Sequence, residues 1–263
     1  MEVIGGDRSP PGPQRNWALF LDVDGTLTHH VDRPDAVRLD AAVAHVLQRL
    51  DALLDGALAL VTGRSLCSLD ALFAPVRMRH AAGLHGLEYR PVAEGDETGD
   101  AASPALSAFA DEARGIAARH AGAAVEAHGA CLYLHWRAAP SAEAPLTALA
   151  ERVAGAVRTH RLHRGAHGIE IRPDGMDKGQ AIRRFMARAP FAGRVPVFAG
   201  DDPADEPGFA VVNRMGGISV NVGRRQPSAA RYALGDAGDV LAWLAAGETP
   251  RDQTRSKAWA DCS

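Results

Sequence analysis

The sequence lacks the features that would place it among membrane, nucleic-acid-binding or disulfide-rich proteins. No apolar run approaches the roughly 18 residues that a membrane-spanning helix requires. The formal net charge is −3 at pH 7, so the basic excess of a nucleic-acid-binding protein is missing. The three cysteines, Cys67, Cys131 and Cys262, cannot all pair and show no CxxC spacing, which is typical of a reducing compartment. We therefore expect a cytoplasmic protein with no membrane or nucleic-acid partner.

The composition is that of a folded globular protein, with 46% hydrophobic and 23% charged residues. A length of 263 residues suits one large domain or one domain that carries a second, smaller one. Residues 1–15 are polar and rich in proline and glycine, without the apolar segment of a signal peptide, and predict a disordered leader. Residues 248–263 predict a flexible polar tail. We expect a monomer.

Buried strands and amphipathic helices alternate through both ends of the chain. Three short apolar runs near the start predict strands: WALFLDVDGTL, ALALVTGR and HAAGLHG. Apolar residues at helical spacing over residues 35–54 and the segment SLCSLDALF predict the helices between them. The alternation resumes at Lys178, with further strands predicted at VPVFAGDD and GISVNVG. This order indicates an α/β sheet with parallel strands.

The middle of the chain has a different pattern. Helices are predicted over residues 104–120 and 141–159. Between them, CLYLHWR alternates apolar and polar side chains, as in an antiparallel strand that is open on one side, and HGIEIRP predicts another strand. The sequence therefore predicts an α/β, Rossmann-like core with a parallel sheet, formed by residues 16–90 and 171–247. An inserted α+β lid, residues 91–170, interrupts that core.

The first chemical motif is LFLDVDGTLT, in which two carboxylates follow a predicted strand. Asp22 and Asp24 are two residues apart, so in an extended chain they share a face. Ligands bind at the carboxyl ends of parallel strands, and carboxylate oxygens suit a hard ion such as Mg²⁺. Gly25 permits a sharp turn after them. Taken alone, the motif is equally consistent with an acidic turn that closes a strand.

Two further motifs contain groups that suit an anion. Thr62 ends a predicted strand and Gly63 follows it, and a hydroxyl with backbone N–H groups at a strand-to-helix junction can bind phosphate. Lys178 opens a predicted helix, where a cation is normally disfavoured, which suggests an anionic partner. Each also has an ordinary interpretation, as a helix N-cap or as a surface lysine.

A fourth motif, FAGDDPADE, places four acids at a strand end. They repel one another unless a cation is present, although acids at a helix N-terminus are also favourable. The second explanation suits Asp205 and Glu206 better than Asp201 and Asp202. A metal, an anion and a nucleophile would account for all four motifs together, and the corresponding chemistry is phosphoryl transfer.

The motifs resemble those of a known superfamily. DVDGT, the threonine of VTGR, the isolated Lys178 and GDDxxDE are similar to the four ordered motifs of haloacid dehalogenase phosphatases. Longer segments resemble the trehalose-6-phosphate phosphatase family, among them AGLHGLE, EAHGACLYLHWRAAP, IEIRP and PVFAGDDPADEPGFAVVNRMGG. The similarity spans roughly residues 17–245, including the lid.

The resemblance implies an enzyme that hydrolyses a phosphate monoester and forms an aspartyl-phosphate. Asp22 is then the nucleophile, and Asp24 is the acid that protonates the leaving oxygen and the base that activates water. Phosphate-binding residues follow from the second and third motifs: Thr62, Gly63, Arg64 and Lys178. The implied cofactor is Mg²⁺, held by the Asp22 carboxylate, the Asp24 backbone carbonyl and Asp201, while Asp202 and Asp205 support it directly or through water.

The lid is implied to recognise the sugar. Glu126, His128 and Glu170 match its sugar-binding positions, and His85 and Glu88 match the contribution of the core. His128 departs from the family, in which lysine is common, and a neutral histidine donates fewer hydrogen bonds. His85 and Glu88 are also consistent with a loop histidine and a surface glutamate.

Three alternatives remain open from the sequence alone. The first keeps the chemistry and changes the substrate to another sugar phosphate, such as a sucrose or mannosyl phosphate. The second is a phosphotransferase such as a mutase, in which the phosphoryl group passes to a sugar. The third is a catalytically silent sugar-phosphate sensor, although Asp22, Asp24, Thr62, Lys178 and Asp201 are all present.

Overall fold

The computed structural model describes residues 9–29, 40–91, 104–165, 167–223 and 225–246. The predicted tail and most of the predicted leader lie outside these ranges, so neither expectation is tested. None of the described helices combines the length and the apolar character that crossing a bilayer requires.

Strands and helices alternate in the described chain, and both are numbered here in chain order. The strands are β1 Trp17–Leu21, β2 Leu58–Val61, β3 His80–Gly83, β4 Glu88–Arg90, β5 Ala124–His128, β6 Cys131–His135, β7 His160–Gly165, β8 Gly168–Pro173, β9 Val195–Gly200, β10 Ile218–Val222 and β11 Tyr232–Leu234. The helices are α1 Ala41–Leu53, α2 Leu66–Phe73, α3 Pro104–Ala117, α4 Glu143–Ala156, α5 Lys178–Met186, α6 Glu206–Arg214 and α7 Ala237–Ala245.

The larger sheet has the order β11-β10-β9-β1-β2-β3-β4. Its pairs are parallel except at the edge, where β4 runs antiparallel to β3. The central strands are continuous apolar runs because helices cover both faces of such a sheet, and every residue of β1 and β2 is buried. The predicted α/β core with a mainly parallel sheet is confirmed.

The antiparallel edge strand β4 was not predicted from the sequence. The run HAAGLHG stops being a strand at Gly83, because Leu84 and His85 have positive φ angles of 47° and 56°. This turn, residues 84–86, sends the chain back along β3. Positive φ is rare outside glycine, so the turn is not apparent from residue type.

The inserted unit is a four-stranded antiparallel sheet, β5-β6-β8-β7, with α3 and α4 packed on one face. The predicted division between residues 170 and 171 falls inside β8, which pairs with β7 as far as Pro173. We therefore place the end of the lid sheet at Pro173. The helix predicted over residues 35–54 corresponds to α1, and its first five residues, 35–39, lie outside the described ranges.

The lid sheet has one apolar and one polar face, because side chains alternate along a strand. Leu132 and Ile171 belong to the apolar core under α3 and α4. The opposite face, named here the polar lid face, carries polar side chains that register places side by side: Glu126, His128, Tyr133, His135, Arg161, His163, Glu170 and Arg172.

The polar lid face is not as open as the sequence predicts. Tyr133 is buried, and it packs with Cys131 of the lid and with Leu84 and Leu87 of the core. We call this apolar cluster the seam. It brings the polar lid face over the carboxyl ends of the core strands, because Leu84 follows β3 directly.

Candidate active site

Asp22, Lys178 and Asp205 form a buried ionic group at the end of β1. The Lys178 ammonium donates to Asp22 Oδ1 and to Asp205 Oδ1, each at 2.7 Å. All three side chains are at most 5% exposed. The conflict of a lysine at the start of a helix is thus resolved by two carboxylates, as the sequence suggested.

Parallel pairing explains why acids so distant in sequence meet. Leu21 of β1 lies opposite Ala199 of β9, so Asp22 and Asp201 leave neighbouring strand ends together. The Thr26 hydroxyl lies between them and shares its single hydrogen, with Oγ1 at 3.4 Å from Asp22 Oδ2 and 3.3 Å from Asp201 Oδ1. Gly25 makes the connecting turn with a φ of 84°, a conformation that favours glycine.

The loop after β9 is organised around Asp205. Asp205 Oδ2 accepts hydrogen bonds from the backbone N–H groups of Asp201 and Asp202, at 2.9 and 3.0 Å. Asp202 in turn accepts from Ala204 N at 2.9 Å. A Cβ on Gly200 would lie only 2.3 Å from Asp205 Cγ, so the absence of a side chain there makes room for this buried carboxylate.

The acidic group is suited to a divalent cation. Carboxylate oxygens of Asp22, Asp201 and Asp205 all lie within 4.8 Å of one another. Such an all-oxygen set matches the preference of Mg²⁺. Of the predicted ligands, Asp22 and Asp201 belong to this set. The Asp202 carboxylate accepts from Ala204 N and the Asp24 carboxylate accepts from Arg64. The ligand predicted at Asp24 is its backbone carbonyl, which remains a prediction. Asp205, predicted to support the metal, lies beside these oxygens, and its own two oxygens accept from Lys178 and from the backbone of Asp201 and Asp202.

Burial controls the protonation of this group. Burial raises the pKa of Asp22 to about 7, although the Lys178 ammonium opposes the shift. Burial likewise raises the pKa of Asp205. For Lys178 burial acts to lower the pKa, but Asp205 and Asp22 outweigh it and raise that pKa well above its usual value. The lysine therefore stays protonated, and added positive charge would favour ionised carboxylates.

Arg64 holds Asp24 in a two-pronged ion pair. The Arg64 Nε and Nη2 atoms donate to Asp24 Oδ2 and Oδ1 at 2.6 and 2.5 Å. Ser68 on α2 accepts from Arg64 Nη1 at 3.3 Å, and the Arg64 N–H donates to Thr62 Oγ1 at 3.1 Å. The strand-to-helix junction predicted to bind phosphate thus also contacts the predicted acid.

His85 links the core to the lid. Its Nε2 atom lies 3.0 Å from Glu170 Oε2 on β8. A Cβ on Gly63 would lie 2.9 Å from the same nitrogen, so glycine leaves space for the imidazole. Burial lowers the pKa of His85, which is therefore neutral at pH 7. Burial alone would raise the pKa of Glu170, but the contact with His85 and the charge of Arg172 lower it.

Glu88 does not take the predicted place in the site. Its Oε2 atom accepts a hydrogen bond from Leu66 N at 2.6 Å, at the first turn of α2. A carboxylate is favourable at a helix N-terminus, where backbone N–H groups lack partners. Among the described residues that line the cavity, Glu88 is not included. The structure thus gives Glu88 a contact with the start of α2, and its sugar-binding role stays a prediction.

A cavity of about 490 Å³ opens between the core and the polar lid face. It brings together most of the predicted residues: Asp22, Asp24, Thr62, Gly63, Arg64, His85, Glu126, His128, Glu170, Lys178 and Asp202. It also contains residues that the sequence reasoning missed: Ser65, Ser68, Leu84, Tyr133 and His135. The alternation along β6 could have indicated Tyr133 and His135, whereas Leu84 reaches the cavity only through the unusual turn.

The lid side of the cavity is a cluster around Glu126. His128 Nε2 lies 3.2 Å from Glu126 Oε2, and His135 Nε2 lies 3.7 Å from Glu126 Oε1. The Tyr133 ring stacks on His135 with an interplanar angle of 8°. Hydrogen-bonding groups beside an aromatic ring suit a ligand with many hydroxyls and an apolar face.

A family model described as trehalose-phosphatase matches residues 20–237. This chain belongs to the trehalose-phosphatase family. It is 39% identical over 251 residues to the trehalose-6-phosphate phosphatase of Escherichia coli strain K12, which is 95% of this chain and 94% of that relative. The family predicted from the motifs is confirmed.

Solved structures share the fold. The C-terminal domain of the trehalose-6-phosphate phosphatase of C. albicans has a TM-score of 0.73 at 19% identity, covering 88% of this chain and 91% of that one. A haloacid dehalogenase-like hydrolase from Bacteroides thetaiotaomicron has a TM-score of 0.61 at 14% identity, covering 86% and 97%. The predicted haloacid dehalogenase fold is confirmed.

Proposed function

We propose that this chain hydrolyses trehalose 6-phosphate to trehalose and inorganic phosphate, through an aspartyl-phosphate on Asp22 and with Mg²⁺ as cofactor. The observation that carries the proposal is the cavity, in which the buried pair of Asp22 and Lys178 faces hydrogen-bonding groups of the lid. The extent of identity to the E. coli trehalose-6-phosphate phosphatase supports the choice of substrate.

In the first step, the Asp22 carboxylate attacks phosphorus, and the bond between phosphorus and the sugar oxygen breaks. Asp24, which takes up a proton from solvent once Arg64 has released it, gives that proton to the leaving oxygen, so trehalose departs neutral. In the present arrangement both Asp24 oxygens accept from Arg64. Arg64 therefore has to release Asp24 before this step, and the incoming phosphoryl oxygens are the acceptors that replace it.

In the second step, water attacks the phosphorus of the aspartyl-phosphate. Asp24 removes the proton from that water, and Asp22 leaves as a carboxylate. Lys178 and the Thr62 hydroxyl lie where they can donate to phosphoryl oxygens, and Lys178 also offsets the charge on Asp22. The burial of Asp22 keeps bulk water away from it until the lid opens.

The residues that would hold Mg²⁺ are Asp22 and Asp201, whose carboxylate oxygens converge, with Asp205 beside them in a supporting role because its oxygens already accept from Lys178 and from the loop backbone. A bound Mg²⁺ supplies positive charge that neutralises the phosphoryl group and orients it. Thr26 contributes to the relative positions of Asp22 and Asp201, because its hydroxyl lies within hydrogen-bond distance of both carboxylates.

Sugar recognition is assigned to the polar lid face. Glu126 and Glu170 accept hydrogen bonds from hydroxyls, and His128 occupies a position where lysine is common. His128 and His135 both lie beside the Glu126 carboxylate, so two imidazoles surround that group. A site built to bond hydroxyls discriminates strongly, because a wrong ligand leaves buried polar groups unpaired.

Phosphate release from a panel of substrates tests the proposal. The panel is trehalose 6-phosphate, sucrose 6-phosphate, glucose 6-phosphate and p-nitrophenyl phosphate, each with Mg²⁺ and with EDTA. We expect kcat/KM for trehalose 6-phosphate to exceed that of the other sugar phosphates by roughly 100-fold or more. Asp22→Asn should release no phosphate, and EDTA should abolish turnover of the wild type.

Other outcomes would separate the chemistry from the substrate. Equal and weak turnover of every compound would leave the phosphatase chemistry standing and remove the assignment of trehalose 6-phosphate. A preference for sucrose 6-phosphate would identify the enzyme as a sucrose-phosphate phosphatase. No phosphate from any compound would favour a silent sugar-phosphate sensor.

A further inference from the structure

The polar lid face contains a buried arginine that the proposed reaction does not use. Arg172 on β8 is 3% exposed. Its Nη1 atom donates to Glu170 Oε2 at 3.2 Å, and its Nη2 atom lies 3.2 Å from His163 Nδ1 on β7. Its Nε atom is buried without a hydrogen-bond partner among the described residues. Arg172 does not belong to the described lining of the cavity.

Stability is a weak explanation for this arginine. Removing a guanidinium from water is costly, and a buried ion pair often contributes no more than apolar residues of similar size. The guanidinium does, however, have a rigid planar set of donors that fixes the geometry of its partners. The contact of Arg172 that bears on function is therefore the one that fixes the position of Glu170.

Glu170 is the point where the lid meets the polar part of the core. Its Oε2 atom is shared between Arg172 Nη1 at 3.2 Å and His85 Nε2 at 3.0 Å. His85 lies in the turn after β3, which belongs to the core. Both close contacts fall on Oε2, so Oε1 is the oxygen left for a hydroxyl in the cavity that Glu170 lines.

The charge of Arg172 also favours the ionised carboxylate. Burial alone would raise the pKa of Glu170, whereas His85 and Arg172 together lower it. Glu170 is consequently both ionised and held from two sides, by one residue of the lid and one of the core. Loss of the lid-side contact would leave the carboxylate free to rotate.

We propose that Arg172 is a positioning residue that orients Glu170, so that this carboxylate both binds the sugar and connects the lid to His85. The proposal rests on the proposed function for its substrate. It predicts that loss of Arg172 weakens recognition of the sugar without affecting phosphoryl chemistry, because Arg172 touches neither Asp22 nor Lys178.

Kinetics on two substrates test this separation. For Arg172→Met we expect KM for trehalose 6-phosphate to rise by about 10-fold or more, as when an outer partner of a binding residue is removed. Turnover of p-nitrophenyl phosphate, which has no sugar, should stay within about twofold of the wild type. Arg172→Lys, which retains the charge without the planar donors, should restore part of the affinity.

Arg161→Met is the matched control. Arg161 lies directly opposite Arg172 in the strand register, but its side chain is 59% exposed and pairs with Asp174 at 2.8 Å. The Arg161→Met substitution makes the same chemical change on the same sheet, and Arg161 does not contact Glu170. We expect its KM for both substrates to equal that of the wild type.

Hydrogen exchange provides a readout that needs no substrate. The backbone N–H groups of Leu84 and His85 donate to Arg64 O and Thr62 O in the core turn. We expect Arg172→Met to accelerate exchange in residues 84–87, across the contact with Glu170, while β8 itself stays protected. Arg161→Met should leave the exchange rate of residues 84–87 unchanged. A purely structural role would instead accelerate exchange in β8.

The outcomes distinguish the inference from the function on which it rests. Unchanged KM for trehalose 6-phosphate in Arg172→Met, with wild-type turnover intact, would overturn the inference alone. If the wild type does not release phosphate from trehalose 6-phosphate, the proposed function fails, and exchange in residues 84–87 then decides whether Arg172 connects lid and core. Unchanged exchange in that case overturns the inference as well.

Discussion

Lys178 is a buried cation whose surroundings tolerate little change. Its ammonium is 2% exposed and lies between two carboxylates at 2.7 Å. Removing one partner of such a group leaves buried charge without compensation. The sequence pointed to Lys178 only through its position at the start of a helix, and the structure supplies the reason in Asp22 and Asp205.

We expect Lys178→Met to lower kcat by roughly 100-fold or more, because a donor to the phosphoryl group is lost. It should also lower the free energy of unfolding at pH 8 by about 3 kcal/mol, since Asp22 and Asp205 then repel each other. Steady-state kinetics and urea denaturation measure the two effects. Arg183→Met, on the exposed side of the same helix, is the control and should change neither.

The raised pKa of Asp22 predicts a pH-dependent stability without Mg²⁺. The pKa is about 7 in the folded protein against an ordinary value of 3.8. The folded state therefore binds the additional proton between these values, and the free energy of unfolding should fall as the pH rises from about 4 to about 7. Asp22→Asn has no such group and should lose less stability over this range.

Urea denaturation in EDTA at pH 5 and pH 8 measures this difference. Equal pH dependence of the wild type and Asp22→Asn would contradict the raised pKa. Added Mg²⁺ should stabilise the wild type more at pH 8 than at pH 5, because the cation competes with the proton for the Asp22 carboxylate.

Residue type and spacing identified the acids at two strand ends, but not the exact division of their roles. The resemblance gave Asp202 and Asp205 the same supporting role toward the metal. In the structure their contacts differ, since Asp202 caps Ala204 and Asp205 turns back to Lys178. The hydrogen bond that Glu88 accepts from Leu66 N could likewise not be predicted from the sequence, because the two residues are 22 positions apart.

At the level of elements, two glycines allow close packing of helix α6 against strand β9 and of helix α5 against α6. A Cβ on Gly208 of α6 would lie 2.4 Å from Phe198 of β9, and one on Gly179 of α5 would lie 2.6 Å from Pro207 O. The start of α5, which contains Lys178, therefore depends on the close fit of α6. Apolar periodicity predicts both helices but does not show that their contact requires glycine.

We expect Gly208→Ala to lower the free energy of unfolding by about 1–3 kcal/mol, because the methyl group overlaps the Phe198 ring. Gly115→Ala is the matched control on α3, where no atom lies within 4 Å of the added Cβ. In that open position alanine should stabilise by up to about 1 kcal/mol. Thermal and urea denaturation measure both, and equal effects of the two substitutions would contradict the packing argument.

The strands of the core were predictable because they are apolar throughout, whereas shorter or polar strands were not. β4 and β11 have three residues each, too few for a pattern. β7 has the sequence HRLHRG, in which only Leu162 is apolar. These strands are formed by pairing with a neighbour, which single-strand patterns do not contain.

On the scale of the whole molecule, the break in the strand and helix alternation indicated an inserted unit. It did not indicate how that unit meets the core. The seam joins Cys131 and Tyr133 of the lid to Leu84 and Leu87 of the core, and these pairs are far apart in sequence. Opening of the seam is the motion that would admit a disaccharide to the cavity.

The thiol of Cys131 reports on this motion, because it is 1% exposed and burial raises its pKa to about 11. Two single-cysteine variants allow a comparison: one retains only Cys131, through Cys67→Ser and Cys262→Ser, and the other retains only the exposed Cys67. We expect a thiol reagent such as DTNB to modify Cys131 roughly 100-fold more slowly than Cys67. Leu87→Ala should accelerate the reaction of Cys131 about 10-fold by weakening the seam. Leu72→Ala on α2, away from the seam, should not. Equally fast modification of Cys131 and Cys67 would show that the lid is open in the free protein.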